Sequence, residues 1–217
     1  MQDKKSAQKE EAIVSAAHKR FAYYGYSKTT MDEIARDLGM GKASLYYYFP
    51  TKESLFRAVI VAEQDEFTTH ATTLIAGAGT ATEKIHAYVE RRLDYFQRTM
   101  NLSKFSMQTY SEIRPVFDEI MEDFARRELQ FLTHLLGSGN QGDEFAIERP
   151  EEVARVLLRI LQGLRVLMFK SASGGEPKDK EFETLRQETK IATEIFLRGI
   201  RPERKHCSTA PTEGKTH

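Results

Sequence analysis

The stretch Thr29-Thr30-Met31-Asp32-Glu33-Ile34-Ala35-Arg36-Asp37-Leu38-Gly39-Met40-Gly41-Lys42-Ala43-Ser44-Leu45-Tyr46-Tyr47-Tyr48-Phe49-Pro50-Thr51-Lys52-Glu53-Ser54-Leu55 decides the reading of this chain. Thr30, followed three residues later by Glu33, has the form of a capping box, in which hydroxyl and carboxylate satisfy orphan amides at a helix start. A helix is therefore expected over 31–38, with Ile34, Ala35 and Leu38 turned inward. Gly39-Met40-Gly41 breaks the pattern, Lys42 to Phe49 resumes it, and Pro50-Thr51 punctuates again. Two short helices joined by a glycine-containing turn form a helix-turn-helix, whose second helix can enter a DNA major groove.

The helical wheel tests the second helix. With Leu45 at the origin and about 100° per residue, Phe49 falls about 40° to one side and Tyr48 about 60° to the other, which defines an inward face. Ala43 and Tyr47 lie opposite, flanked by Ser44 and Tyr46. Three consecutive tyrosines cannot all be buried on one helix. Their hydroxyls, Ser44 and the first backbone amides are donors suited to phosphate oxygens, and Lys42 and Lys52 add charge at either end.

Working outward, Ile13, Ala16, Ala17, Phe21 and Tyr24 recur at spacings of three and four before Gly25, so a first helix is expected over 7–24. Beyond the motif, a longer helix opens at Lys52 and runs through Leu55, Phe56, Val59 and Ile60 towards Gly77 and Gly79. Ile85, Val89, Leu93, Phe96 and Met100 mark the next, with a shorter one across Lys104–Tyr110. Val116, Ile120, Met121, Phe124, Phe131, Leu132 and Leu135 mark another, ended at Gly137-Ser138-Gly139-Asn140. Arg149-Pro150 opens a strongly apolar helix to about 170, Ser171 to Pro177 is a loop, and Phe182 to Gly199 is the last helix. Residues 201–217 read as a polar, disordered tail. The expected fold class is all-α.

The 217 residues carry 32 Lys and Arg against 32 Asp and Glu, a zero net charge that taken alone argues against a nucleic-acid partner. The zero hides an asymmetry: residues 1–57 hold 10 basic and 7 acidic side chains, net +3, and the remainder is net −3. The motif therefore sits on a locally basic piece of an acidic chain.

The same run closely resembles the DNA-binding domain of the TetR family of bacterial transcriptional regulators, and the match extends back through Phe21-Ala22-Tyr23-Tyr24-Gly25-Tyr26. The resemblance covers about the first 57 residues; the later part is similar to the family only in being all-helical and of suitable length. It implies a three-helix DNA-binding domain over 1–57, a helical ligand-binding and dimerisation domain over 58–200, and the tail over 201–217. It further implies that Thr29, Thr30 and the start of the second helix lie on the phosphate backbone. Gly41, Lys42, Ala43 and Ser44 would meet base edges or nearby phosphates, Tyr46, Tyr47 and Lys52 would hold the backbone, and Leu45 and Phe49 would pack the motif. Gly41 stands where a polar residue is frequent in the family, and Ala43 where glycine is common. Lys42 could then carry more of the recognition, donating to guanine O6 or N7.

In the family the larger domain is a small-molecule receptor fused to a dimerisation surface. Helix 150–170 carries apolar residues on more than one face, Gly163 permits close helix approach, and with helix 180–199 it forms the expected homodimer interface. A hydrophobic effector would be lined by Phe96, Met100, Phe117, Met121, Phe124 and Met168, because soft side chains shape an adaptable cavity. Arg92, Gln108, Tyr110, His134, Gln162 and Arg165 are nearby polar candidates for orienting it. The alternative is an effector-independent helical dimer that binds DNA architecturally or through a partner protein, with the Phe and Met stripes as plain core.

Other classes find no support in the residues. The chain has no Walker A loop, no dinucleotide-binding glycine fingerprint, no Gly-x-Ser-x-Gly elbow and no HExxH, so it is not expected to be an enzyme or to need a cofactor. Six histidines (His18, His70, His86, His134, His206 and His217) show no metal-ligand spacing, and Cys207 is alone, so no metal site is expected. No apolar run reaches the roughly 20 residues that span a bilayer, and no signal peptide is seen, so a soluble, cytoplasmic protein without a membrane partner is expected.

Overall fold

The computed structural model describes residues 2–77, 79–103, 107–171 and 178–203. Among them the chain forms α1 Gln2–Tyr24, α2 Met31–Asp37, α3 Lys42–Tyr48, α4 Lys52–Ala76, α5 Ala81–Ser103, α6 Met107–Gln141, α7 Pro150–Ser171 and α8 Asp179–Gly199. No strand is present among the described residues, so the fold is all-α.

The N-terminal part is built on local signals. α1 buries Ile13, Ala17 and Phe21 at a spacing of four, and Phe21 packs edge-on against Phe56 of α4 at 5.5 Å between ring centroids. Thr30 caps α2 through the reciprocal box expected from Glu33. The chain then turns at Gly39, whose φ of +62° lies in the left-handed region that a side chain disfavours. α3 buries only Leu45 fully and ends at Phe49, also buried, so the inward face has the composition read from the wheel. α4 opens with a second capping box: Thr51 Oγ1 accepts from the Ser54 amide at 3.0 Å, and Ser54 Oγ accepts from the Thr51 amide at 3.2 Å.

α4 is the spine that joins the parts. It packs on α1 at one end and on α5 and α6 along its length, burying Leu55, Phe56, Val59, Ile60, Phe67 and Ala71. α6 packs on α7, α7 on α8 and α5 on α8, which closes the larger bundle. Each fully buried large apolar side chain contributes about 1.5–3 kcal/mol, and those on α4 belong to one core continuous with Leu132 of α6 and Leu157 of α7.

Three sequence expectations are corrected. α1 begins at Gln2, not at residue 7, because the polar run 2–8 continues the helix instead of capping it at Ser6. The separate segments expected around 104–110 and 116–135 belong in part to one helix: 104–106 lie outside the described residues, while α6 runs unbroken from Met107 to Gln141. It passes Gly137 and Gly139 without stopping. A Cβ on Gly139 would come within 2.3 Å of the Phe145 ring and 2.9 Å of Ala81, so this glycine serves a close approach inside the helix. Of the loop and tail, 172–177 and 204–217, with Cys207, His206 and His217, lie outside the described residues.

Candidate functional site

α3 presents Ala43, Ser44, Tyr46 and Tyr47 to solvent, with Tyr47 81% exposed. The hydroxyl groups and the open N-terminal end of the helix thus share one face, beside Lys42. Gly41 is the N-cap and supplies no side-chain hydrogen bond; no atom lies within 4 Å of where its Cβ would be. A cleft of about 590 Å³ runs beside this face, walled by Ala43, Ser44 and Tyr47 of α3 and by Lys9, Ala12 and Ile13 of α1.

The cations around the face are tied to neighbours. The Lys42 ammonium donates to Asp32 at 2.9 Å, which holds its pKa above the ordinary lysine value, and it stands 5.8 Å from the Tyr46 ring centre. Both partners are exposed, so water competes and the pair adds little to stability. Arg20 donates to Asp37 at 2.5 Å and 2.9 Å. Lys52 lies over the Tyr26 ring at 4.2 Å and donates to the Tyr26 and Thr29 carbonyls at 3.1 Å and 3.2 Å. Its ammonium therefore locks the 25–30 turn onto α4. At α2, Thr30 Oγ1 accepts from the Glu33 amide at 3.3 Å, while the Glu33 carboxylate accepts from the Thr30 hydroxyl and amide at 2.8 Å and 2.9 Å. Those two donors hold the Glu33 carboxyl below its usual range.

Thr29 is fully buried, and its hydroxyl donates to the Gly25 carbonyl at 2.8 Å, so its side chain serves the turn and does not face outward. The nine positions singled out from the sequence therefore divide. Gly41, Lys42, Ala43, Ser44, Tyr46 and Tyr47 share the open α3 surface, Thr30 stands exposed at the start of α2, Lys52 is half-buried, and Thr29 is inside.

The residues singled out for an effector scatter more widely. Phe96, Met100, Phe124 and Met168 are buried in the core, and Met121 packs against it half-buried. The Arg165 guanidinium stands over the Phe96 ring at 5.1 Å, and Gln162 is half-buried one turn earlier on α7. His134 is exposed on α6. Arg92 is buried and committed: its Nε donates to Glu128 at 2.6 Å, and the Tyr88 hydroxyl donates to the same carboxylate at 2.5 Å. Burial, then the Glu128 charge, pushes the Tyr88 hydroxyl well above its usual pKa. The side chains of Gln108, Tyr110 and Phe117 lie outside the described ones.

Sequence reasoning missed a set of polar groups between the two parts. His18 of α1 meets Glu63 of α4 at 2.8 Å, and this hydrogen bond is the main reason the Glu63 carboxyl lies below its ordinary range. Next to it Gln64 accepts from Arg127 of α6 at 2.8 Å, and burial pushes the Tyr95 hydroxyl up to about 12. Glu63-Gln64 at mid-helix between apolar positions was the available signal, since a paired polar step inside an otherwise core-facing helix asks for partners.

The profile described as "Bacterial regulatory proteins, tetR family" matches residues 13–59, and that described as "QacR-like protein, C-terminal region" matches 63–201. The chain belongs to the tetR family of bacterial regulatory proteins. It is similar to the uncharacterised HTH-type transcriptional regulator YhgD of Bacillus subtilis, at 27% identity over 177 residues, 81% of this chain and 91% of that protein. A crystal structure of a transcriptional regulator from Cytophaga hutchinsonii superposes with a TM-score of 0.83 at 37% identity, covering 89% of this chain and 99% of that one. The flavonoid-responsive regulator FrrA matches with a TM-score of 0.53 at 25% identity, over 91% of this chain and 99% of that one. The chain is thus a DNA-binding transcriptional regulator whose helix-turn-helix is α2 and α3. Its homologues and fold are those of regulators, and no described helix is long and apolar enough to cross a membrane.

Proposed function

We propose that this tetR-family chain is a cytoplasmic, ligand-responsive repressor that binds a palindromic operator as a homodimer and is released by a small hydrophobic effector. The observation that carries the reading is an apolar stripe that a monomer leaves in water. Val156, Val166 and Leu167 of α7 and Ile191 and Ile195 of α8 are all exposed, Ile195 to 66%, and Gly163 lies between the first two with open space around it. Monomeric proteins rarely expose contiguous apolar surface of this kind, and a second copy would cover it isologously. Two α3 helices, spaced about one DNA turn of 34–36 Å, would then read adjacent half-sites. Residues 1–57 serve as the reading head, and 58–200 as receptor and dimerisation domain.

The receptor role draws support from Phe96 and Met100 of α5, Met121 and Phe124 of α6 and Met168 of α7, soft side chains in or against the core, with Arg165 over the Phe96 ring. Glu63 Oε2 and Gln64 Nε2 are buried without a hydrogen-bond partner among the described residues, beside core rings such as Phe67, leaving capacity for a polar group of the effector. The flavonoid-responsive regulator of the same fold responds to a small aromatic molecule, the class such a lining suits. For release, the effector must favour the DNA-incompetent state; each tenfold preference corresponds to about 1.4 kcal/mol.

Light scattering, with gel-shift titration on the DNA upstream of the protein's own gene, tests this. The wild type is expected to be a dimer that binds, and Ile191→Glu with Ile195→Glu a folded monomer that binds poorly. A monomeric wild type sinks the reading. Saturable thermal stabilisation by hydrophobic small molecules that also lowers DNA affinity separates the receptor from the effector-independent dimer.

A further inference from the structure

Three cations around the reading helix are engaged inside the protein: Lys42 with Asp32, Arg20 with Asp37, and Lys52 with two carbonyls. Lys5 and Lys9, on the first turns of α1, are exposed and make no ion pair or hydrogen bond among the described residues. Lys9 lines the 590 Å³ cleft together with Ala43, Ser44 and Tyr47 of α3, so the cation opens onto the surface that presents the reading positions. The wheel extends this. At about 100° per residue, Lys5 and Ala12 fall about 40° and 60° to one side of Lys9, and Ile13 about 40° to the other, while Glu10 and Glu11 fall about 100° and 160° away. Ala12 and Ile13 also line the cleft, so Lys5 shares the cleft face and the acidic pair does not.

We infer that Lys5 and Lys9 form a second backbone-binding element, and that the cleft between α1 and α3 receives one sugar–phosphate strand of the duplex. A helix seated in a major groove about 12 Å wide has a sugar–phosphate strand along each flank. A strand beside α3 on the α1 side enters a cleft whose far wall carries uncommitted positive charge and whose near wall carries Ser44 and Tyr47 hydroxyls. Both lysines precede residue 13, where the tetR-family match begins, and lie on the first turns of α1. Phosphate contacts of this sort position the protein and carry no sequence information. The inference rests on α3 being the groove-entering helix.

The test is a salt titration of full-length protein on two duplexes, one from upstream of its own gene and one a shuffled sequence of equal composition. Lys5→Ala with Lys9→Ala is expected to shallow the slope of log Kobs against log salt by about 0.9 for every phosphate that the variant no longer neutralises, equally on both duplexes. Lys5→Arg with Lys9→Arg restores the slope, and Glu10→Gln with Glu11→Gln leaves it at the wild-type value. An unchanged slope in the alanine pair overturns the inference, and so does an equal shift in the glutamine pair, which would make the effect one of net charge. If Tyr47→Ala weakens binding while the alanine pair does not, only this inference falls. If Tyr47→Ala is also without effect, α3 as the groove-entering helix falls with it. All these side chains are exposed, so circular dichroism should match wild type throughout.

Discussion

Arg20 and Arg92 are both held by carboxylates, in opposite surroundings. Arg20 meets Asp37 at the surface of the N-terminal unit, whereas Arg92 meets Glu128 inside the bundle, with the Tyr88 hydroxyl closing the same carboxylate. Around α2 and α3 the carboxylates of the ion pairs are exposed, and water or another anion can take their place. At the Arg92–Glu128 pair the charges are sealed in, and no outside ion can substitute without opening the core. The surface pair is open to exchange; the sealed pair, with both Glu128 oxygens occupied, holds α5 on α6.

The contrast can be broken most severely at Arg92. Arg92→Ala leaves Glu128 charged and buried, and is expected to cost about 3–5 kcal/mol by urea unfolding. Arg20→Ala should change stability far less, and an equal loss in both would erase the distinction. Next comes the link between regions: Glu63→Gln removes the carboxylate that accepts from His18, at about 1.5 kcal/mol near neutral pH. Because the folded Glu63 pKa is depressed, its contribution is present above the ordinary carboxyl range and lost as pH falls through the folded value. Wild type and variant should therefore converge in thermal stability on acidification below pH of about 4.3. Thr30→Ala, which removes the α2 cap, is expected to cost about 1 kcal/mol and to weaken DNA binding in proportion to the fraying of α2. The smallest effect is a gain: Gly41→Ser has room for its side chain and should stabilise α3 by a few tenths, about 0.3 kcal/mol in calorimetry, while adding a hydroxyl at the exposed start of that helix.

The same contrast explains what the sequence disclosed. Thr30 with Glu33, Gly39, the Leu45 and Phe49 spacing and Pro150 at the start of α7 are local signals that act within one or two turns, and each stands where it was read. The reading of α6 failed at Gly137 and Gly139 because a glycine that stops a helix and one that admits a neighbouring ring look alike until Phe145 and Ala81 are brought alongside. Arg92 looked like a ligand-orienting group because its partner, Glu128, lies 36 positions further along the chain. Thr29 looked like part of the outward run, and only the fold of the 25–30 turn takes its hydroxyl to the Gly25 carbonyl. Surface chemistry was legible on α3 because a seven-residue helix has few ways to divide its faces. The buried pairs were not, since they join residues on different helices.

The Lys52 ammonium, gripping the Tyr26 and Thr29 carbonyls while Tyr26 donates to Glu53 and packs on Phe56, removes a joint from the molecule. With His18 pinned to Glu63 further along the same helix, the reading unit has two fastenings to α4 and little freedom to swivel on its own. In mechanical terms it is a tool fixed to its shaft. In the proposed dimer the spacing of two such tools would then be set where the shafts are mounted, in the bundle, and not at their tips.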